Sequence, residues 1–103
     1  MGGLQNMVLK QVQKLQADQE RAMAELDETR VQATAGGGVV TAVATGNGDM
    51  VSIKIDPDAV DPDDVEMLED LVLAAVKEAL AKASALREEK LAALMPKIPG
   101  LPF

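Results

Sequence analysis

The sequence of 103 residues predicts a single small domain of the α/β type, more narrowly α+β, in which a three-stranded antiparallel sheet is flanked by long N-terminal and C-terminal helices. Three observations predict this fold. The chain starts with a long stretch that lacks Gly and Pro after Gly3. It continues with short β-branched segments between glycine-rich turns, and a second helical stretch then ends at prolines.

The first helix is expected over residues 4–30, a stretch rich in Gln, Lys, Glu, Ala, Leu and Met, which all favour helix. Its apolar positions follow one another at steps of three and four, and Gln19 fills the one vacant place in this heptad pattern. The spacing predicts a narrow apolar face for one partner helix. The apolar positions are Val8, Val12, Leu15, Ala22 and Leu26.

Three strands are expected over residues 31–56, separated by two turn signals, Gly36-Gly37-Gly38 and Gly46-Asn47-Gly48-Asp49. In the last segment Val51, Ile53 and Ile55 alternate with polar residues, which is the pattern of a strand with one dry face and one wet face. The glycines favour hairpin turns over a phosphate-binding loop, because no Gly-Lys-Ser/Thr sequence follows them.

An acidic loop at residues 56–64 leads into the second helix. Asp61 and Pro62 fit an N-cap and a first helical position, so this helix is expected over residues 62–95, with a break or a short separate first turn near its start left open, followed by an extended Pro-rich tail over residues 96–103. Such a helix spans roughly 50 Å, whereas a compact domain of this size has a radius of gyration of only ~13 Å. Both helices must therefore project from the sheet, and so small a core predicts a homodimer.

The composition excludes several kinds of chemistry. The chain has no Cys or His, and its only aromatic residue is Phe103, so disulfides, zinc sites and Cys/His nucleophiles cannot form. A Ser/Lys pair is the one nucleophile arrangement left open, but nothing near Ser52 or Ser84 resembles an oxyanion site. We therefore expect no enzyme activity, no cofactor, no bound metal and no small-molecule substrate.

The acidic loop does not fit an EF-hand, because Val60 and Met67 fall where oxygen ligands are needed. Helix capping and solvation explain its carboxylates better. Every apolar run is interrupted by a charge well before the ~20 residues that a bilayer crossing needs. The sequence therefore predicts a soluble cytoplasmic protein with no membrane partner.

Charge is segregated along the chain. The formal net charge is −7, yet residues 49–70 hold nine acids against Lys54 alone and carry −8. In the first helix, at ~100° per residue, Lys10, Lys14 and Arg21 form a stripe opposite the apolar positions. Lys90 lies on the same side of the second helix as a set of apolar residues. A lysine in this position predicts that this side is no longer buried near the helix end, where a partner could reach it. A solvated helical face is the alternative interpretation of these cations.

Several short motifs follow one another along nearly the whole chain. They are Gly2-Gly3-Leu4, residues 10–16, Ile53-Lys54-Ile55-Asp56-Pro57, residues 66–72 followed by Ala74-Ala75, and Pro99-Gly100-Leu101-Pro102-Phe103. In this order they resemble the YbaB/EbfC family of bacterial nucleoid-associated proteins. The resemblance implies a small antiparallel sheet, a dimer joined through the sheets, and projecting helices that grip duplex DNA like the arms of tweezers.

The resemblance also implies that the first and last helices contact DNA. Carried over to this sequence, the contact residues are Lys10, Lys14, Arg21, Lys82, Arg87 and Lys90. One departure is that relatives often have two adjacent bases where this chain has Ala81-Lys82, which leaves fewer partners for phosphates.

The expected function is that of a nucleoid-associated protein in the cytoplasm and nucleoid. It would bind duplex DNA as a homodimer through backbone phosphates and help to organise the chromosome, with gene regulation as a role left open. Little sequence specificity is expected, because the Gln residues of the first helix suit a solvated face better than base reading. Single-stranded DNA is a poorer target, since only Phe103 could stack on a base. The alternative is a dimeric scaffold that binds no DNA and holds other proteins.

Overall fold

The computed structural model describes residues 2–95 and contains two long helices and three strands. This confirms the predicted α+β fold. The predicted extended tail at residues 96–103 lies outside the described residues. In chain order the elements are α1 (Gly2–Glu28), β1 (Arg30–Ala35), β2 (Val40–Thr45), β3 (Met50–Ile55), a short 3-10 turn (Pro57–Ala59) and α2 (Val65–Ala92).

The three strands form an antiparallel meander in the order β1-β2-β3. In the register of the sheet, Ala42 lies opposite Ala33 on one side and opposite Ile53 on the other. The first turn depends on glycine, because Gly36 has a φ of 64° and a Cβ there would lie 2.8 Å from the Val39 side chain.

Helix α2 packs across β1 and β2 and forms the core with small side chains. The buried residues that make up this core are Ala33, Val40, Ala42, Ala44, Ala75 and Ala79. A helix is about 10 Å wide and neighbouring strands are about 4.8 Å apart, so one helix covers only two strands. Ile53 and Ile55 of β3 lie on the same face as this core, yet they remain 44% and 37% exposed.

Helix α1 is anchored only through its last two turns. Ala22 and Leu26 are buried, and the Gly46 N–H donates to the Leu26 carbonyl at 2.9 Å. A Cβ at Gly46 would lie 2.8 Å from the Leu26 side chain, so glycine permits this close approach. The Asn47 amide adds a hydrogen bond to the Met23 carbonyl at 3.0 Å.

The start of α2 differs from the sequence-based prediction. The prediction of an N-cap at Asp61 was wrong, because Asp64 accepts the Met67 N–H at 3.2 Å and caps the helix. Asp61 instead accepts the Asp63 N–H at 2.9 Å in a separate turn. Asp56 caps the 3-10 turn in the same way through the Asp58 N–H. These loop carboxylates therefore act as acceptors for backbone N–H groups.

The chain is elongated, with extents of 75 × 27 × 16 Å and a radius of gyration of 20.4 Å. This radius is well above the ~13 Å of a compact domain of similar length. This extended shape fits the prediction that the helices form projecting arms. Within residues 2–95, neither helix has a stretch apolar enough over sufficient length to cross a membrane.

Candidate nucleic-acid interface

Lys10 and Lys14 occupy the projecting half of α1. Both side chains are exposed, and neither makes an ion pair or a side-chain hydrogen bond with another residue of 2–95. They are separated by one helical turn, which is about 6 Å along the axis. Two unpaired cations at this spacing are available to an anion in solvent.

Arg21 continues the same stripe toward the sheet. Its side chain is 72% exposed, and its Nη1 lies 3.9 Å from the Asp18 carboxylate one turn before it. An exposed pair at the limit of contact distance is weak. Arg21 therefore keeps much of its capacity to bind a further anion.

Lys90 is held by the chain itself. Its Nζ lies 2.6 Å from Oε2 of Glu25, so the pair joins α2 to α1. The expected open sector near the end of α2 is thus already occupied by a carboxylate. The hydrogen bond and charge of Lys90 lower the pKa of Glu25 below its usual value of 4.5, and Arg21 adds a smaller effect of the same sign.

The remaining two cations lie nearer the sheet. Arg87 is exposed and places Nη2 3.9 Å from the Met23 sulfur of α1. Lys82 donates to the Gln32 carbonyl of edge strand β1 at 3.0 Å and lies 3.7 Å from Glu78. Lys82 is therefore engaged in joining α2 to the sheet.

The six predicted contact residues thus fall into three groups. Lys10 and Lys14 lie on the outer arm; Arg21, Arg87 and Lys90 lie where α1 and α2 meet; and Lys82 lies at the sheet edge. Sequence reasoning missed Glu25 and the Gln32 carbonyl as partners. The four-residue spacing of Arg21 and Glu25 was a visible signal, but contacts between elements have no signature in a single sequence.

The apolar face of α1 is covered only where the helix meets the rest of the chain. Farther out, side chains from Leu4, 74% exposed, to Val12, 47% exposed, form a shallow apolar surface that we call the outer strip. Of the residues that the structure describes, none from α2 covers it. Within residues 2–95, the face is buried only at Ala22 and Leu26, and Leu26 packs on Gly46, so the predicted partner helix does not run along the whole face. The outer strip consists of Leu4, Val8, Leu9 and Val12, beside Gln5.

The acids lie at the other end of α2. Glu66, Glu69 and Asp70 belong to its first two turns, whereas Lys90 is in its last turn, more than 30 Å away at about 1.5 Å per residue. The charge segregation seen in the sequence therefore becomes a separation in space. An anionic polymer is repelled by the base and attracted by the arm.

An elongated helical arm with unpaired cations, set on an acidic base, is typical of a protein that binds a polyanion through charge. Comparison with known proteins identifies the class more closely. The chain belongs to the YbaB/EbfC DNA-binding family, whose sequence profile matches residues 1–98. The resemblance seen in the sequence motifs is thereby confirmed, and the family is one of DNA-binding proteins, not of enzymes.

Individual relatives agree with this assignment. A protein of Acetivibrio thermocellus named nucleoid-associated protein is 52% identical, over 98% of this chain and 89% of its own length. A protein of the same name from Pelotomaculum thermopropionicum is 50% identical, over 98% of each chain. The crystal structure of an uncharacterized protein from Helicobacter pylori has a TM-score of 0.76 at 18% identity, covering 91% of this chain and 97% of its own. That last likeness supports the fold.

Proposed function

We propose that this protein binds duplex DNA as a homodimer, mainly through backbone phosphates and with little sequence specificity, and that it contributes to chromosome organisation in the nucleoid. The observation that carries the proposal is that Lys10 and Lys14, on an arm remote from the acidic base, are exposed and have no partner in the described part of the chain. The names of the relatives support the nucleoid as its location.

Phosphate contacts explain both the expected affinity and the expected lack of specificity. Lys and Arg release counterions when they neutralise phosphates, and this contribution does not depend on the bases. Lys10, Lys14 and Arg21 offer about three cations per protomer, which gives about six in a dimer. The logarithm of affinity is then expected to fall with a slope near −5 against the logarithm of salt, a loss of ~10³ between 50 and 200 mM.

The homodimer is supported by the uncovered side of the sheet. Ile53 and Ile55 continue the apolar face of the core onto β3, and α2 is too narrow to cover them. A second copy joined through its own sheet would remove these side chains from water. Ile53→Lys is expected to convert the dimer to a monomer in sedimentation analysis. Lys54→Glu, on the opposite face of the same strand, is the matched control.

Charge reversal on the arm tests DNA binding directly. Lys10→Glu with Lys14→Glu removes four of the roughly six contacts of a dimer, so affinity is expected to fall at least ~10²-fold and the salt slope to flatten. Lys77→Glu, compared with Lys14→Glu alone, is a control of equal charge change, since Lys77 is exposed beside the sheet and unpaired within residues 2–95. Binding is measured by fluorescence anisotropy with two duplexes of unrelated sequence at several salt concentrations.

A non-DNA-binding dimeric scaffold is the second candidate, and the outer strip is the observation that favours it, because exposed apolar surface suits a protein partner. The same titration separates the two functions. Wild-type protein that does not bind either duplex at low salt, or that binds equally well after reversal of Lys10 and Lys14, contradicts the DNA proposal and favours the scaffold.

A further inference from the structure

Lys90 stands at the inner end of the cationic stripe on α1. Arg21 is seven residues after Lys14, and Glu25 is four residues after Arg21, so all three lie on one side of the helix. Because the Lys90 Nζ is bound to Glu25, the second helix adds a fourth cation to the line formed by Lys10, Lys14 and Arg21. The spacing between Arg21 and the Glu25 position is about 6 Å along the axis.

The Glu25 carboxylate resembles a DNA phosphate in the way that it binds an ammonium group. Both present anionic oxygens that accept short hydrogen bonds from an ammonium group. The Lys90 and Glu25 side chains are 32% and 53% exposed, so solvent reaches the pair. An ion pair in that position is weak and is open to exchange with another anion.

The pair is not needed to hold α1 in place. Leu26 packs on Gly46, and the Gly46 and Asn47 N–H groups bond to carbonyls of the last turns of α1. These contacts do not involve the Glu25 carboxylate. Replacing Glu25 by Gln is therefore expected to leave the fold intact.

We infer that Glu25 is a built-in competitor of DNA: its carboxylate occupies on Lys90 the place that a backbone phosphate takes once Glu25 is neutral. The inference rests on the proposed DNA binding. While Glu25 holds Lys90, the inner end of the stripe offers one cation fewer to the duplex. Glu25 thereby limits both the affinity of the arm and its sensitivity to salt.

Glu25→Gln tests the inference, because it removes the charge and preserves the shape. One additional phosphate contact per protomer is expected to raise affinity roughly tenfold or more at ~0.1 M salt and to steepen the salt slope by about 2 for a dimer. Glu20→Gln is the matched control, since Glu20 is exposed, unpaired within the described part of the chain and about 140° away around α1. Its effect is expected to be several-fold smaller.

A double-mutant comparison separates competition from general electrostatics. Lys90→Gln alone is expected to lower affinity, because it leaves the Glu25 carboxylate unpaired beside the cationic stripe. Combined with Lys90→Gln, Glu25→Gln is expected to gain clearly less than it does when Lys90 is present, because no ammonium group is then released to a phosphate. An equally large gain without Lys90, or a loss of affinity in Glu25→Gln with an unchanged circular-dichroism spectrum, overturns the inference.

The outcome also distinguishes this inference from the proposed function. If wild-type protein binds DNA and loses affinity on reversal of Lys10 and Lys14, but Glu25→Gln matches Glu20→Gln, only the role of Glu25 is wrong. If wild-type protein binds no duplex at low salt, both proposals fail.

Discussion

The inner and outer halves of the molecule are built on opposite principles. Around the sheet, Ala42, Ala75 and Ala79 are fully buried and bring α2 close to the strands. On the outer arm, Leu4 and Val8 are mostly in water, and Lys10 and Lys14 have no ion-pair partner among residues 2–95. Stability is therefore concentrated in the part that carries the acids, and the proposed binding is concentrated in a part that contributes little to folding. Substitutions in the two halves should separate folding from DNA binding.

The largest expected effect is on the anchor of α1. Leu26→Ala leaves a cavity beside Gly46 and is expected to lower the free energy of unfolding by about 2–5 kcal/mol. Leu4→Ala, the same substitution on the outer strip, is expected to change it by no more than about 0.5 kcal/mol. Urea unfolding followed by far-ultraviolet circular dichroism measures both variants, and equal losses would show that the outer arm is packed in solution.

A smaller loss is expected at the start of α2. Asp64→Ala removes the acceptor of the Met67 N–H and should cost about 1 kcal/mol of unfolding free energy. Asp61→Ala, which breaks only the turn to Asp63, should cost less. A greater cost for Asp61→Ala in the same urea experiment would place the helix start at Pro62, as the sequence suggested.

Lys82 tests the difference between the inner and outer halves directly, because it is a predicted DNA contact that lies on the inner half. Lys82→Gln shortens the reach to the Gln32 carbonyl and is expected to cost up to about 1 kcal/mol of stability. Its effect on DNA affinity should be smaller than that of Lys14→Gln, because the ammonium is already engaged. Anisotropy and urea unfolding of the two variants test this opposite ranking, and a larger affinity loss for Lys82→Gln contradicts it.

The smallest expected effect is the pH dependence of the Lys90–Glu25 pair. Because the pKa of Glu25 is lowered in the folded protein, the unfolded state binds more protons near that pKa, and the pair stabilises the fold above the ordinary value of 4.5. This contribution is lost as pH falls from about 4.5 through the folded pKa. In an NMR titration of the Glu25 side chain, Lys90→Gln should return the pKa toward 4.5. An unchanged pKa would contradict the pairing in solution.

Local patterns were sufficient to predict the elements, but not what covers them. The alternation of Val51, Ile53 and Ile55 identified β3 and its apolar face, because strand periodicity is a local property. Helix α2 does not cover this face because one helix is narrower than a sheet of three strands. That geometric fact cannot be read from any single segment of the sequence. The start of α2 was misplaced for a related reason. Asp61 and Asp64 are equally good caps by residue type, and only the path of the loop decides between them.

The candidate site also contains features that the sequence could predict and features that it could not. The stripe of Lys10, Lys14 and Arg21 could be read from helical spacing, since all three lie on one helix. The engagement of Lys82 with Gln32 and of Lys90 with Glu25 could not, because those partners are 50 and 65 positions away along the chain and meet only when α2 has docked. A prediction based on charge alone therefore treated Lys82 and Lys90 as available, although both already have partners in the fold.

Because α1 is anchored through its last two turns, a small rotation there produces a larger displacement at the tip of the arm. Leu4 lies 18 residues from Ala22, or about 27 Å at 1.5 Å per residue. A swing of about 5° at that pivot moves the tip by about 2.4 Å over this length. In the proposed dimer, small rotations of two such arms would change the distance between their tips, and the arms would adapt to a duplex of varying width without repacking any side chain of the core.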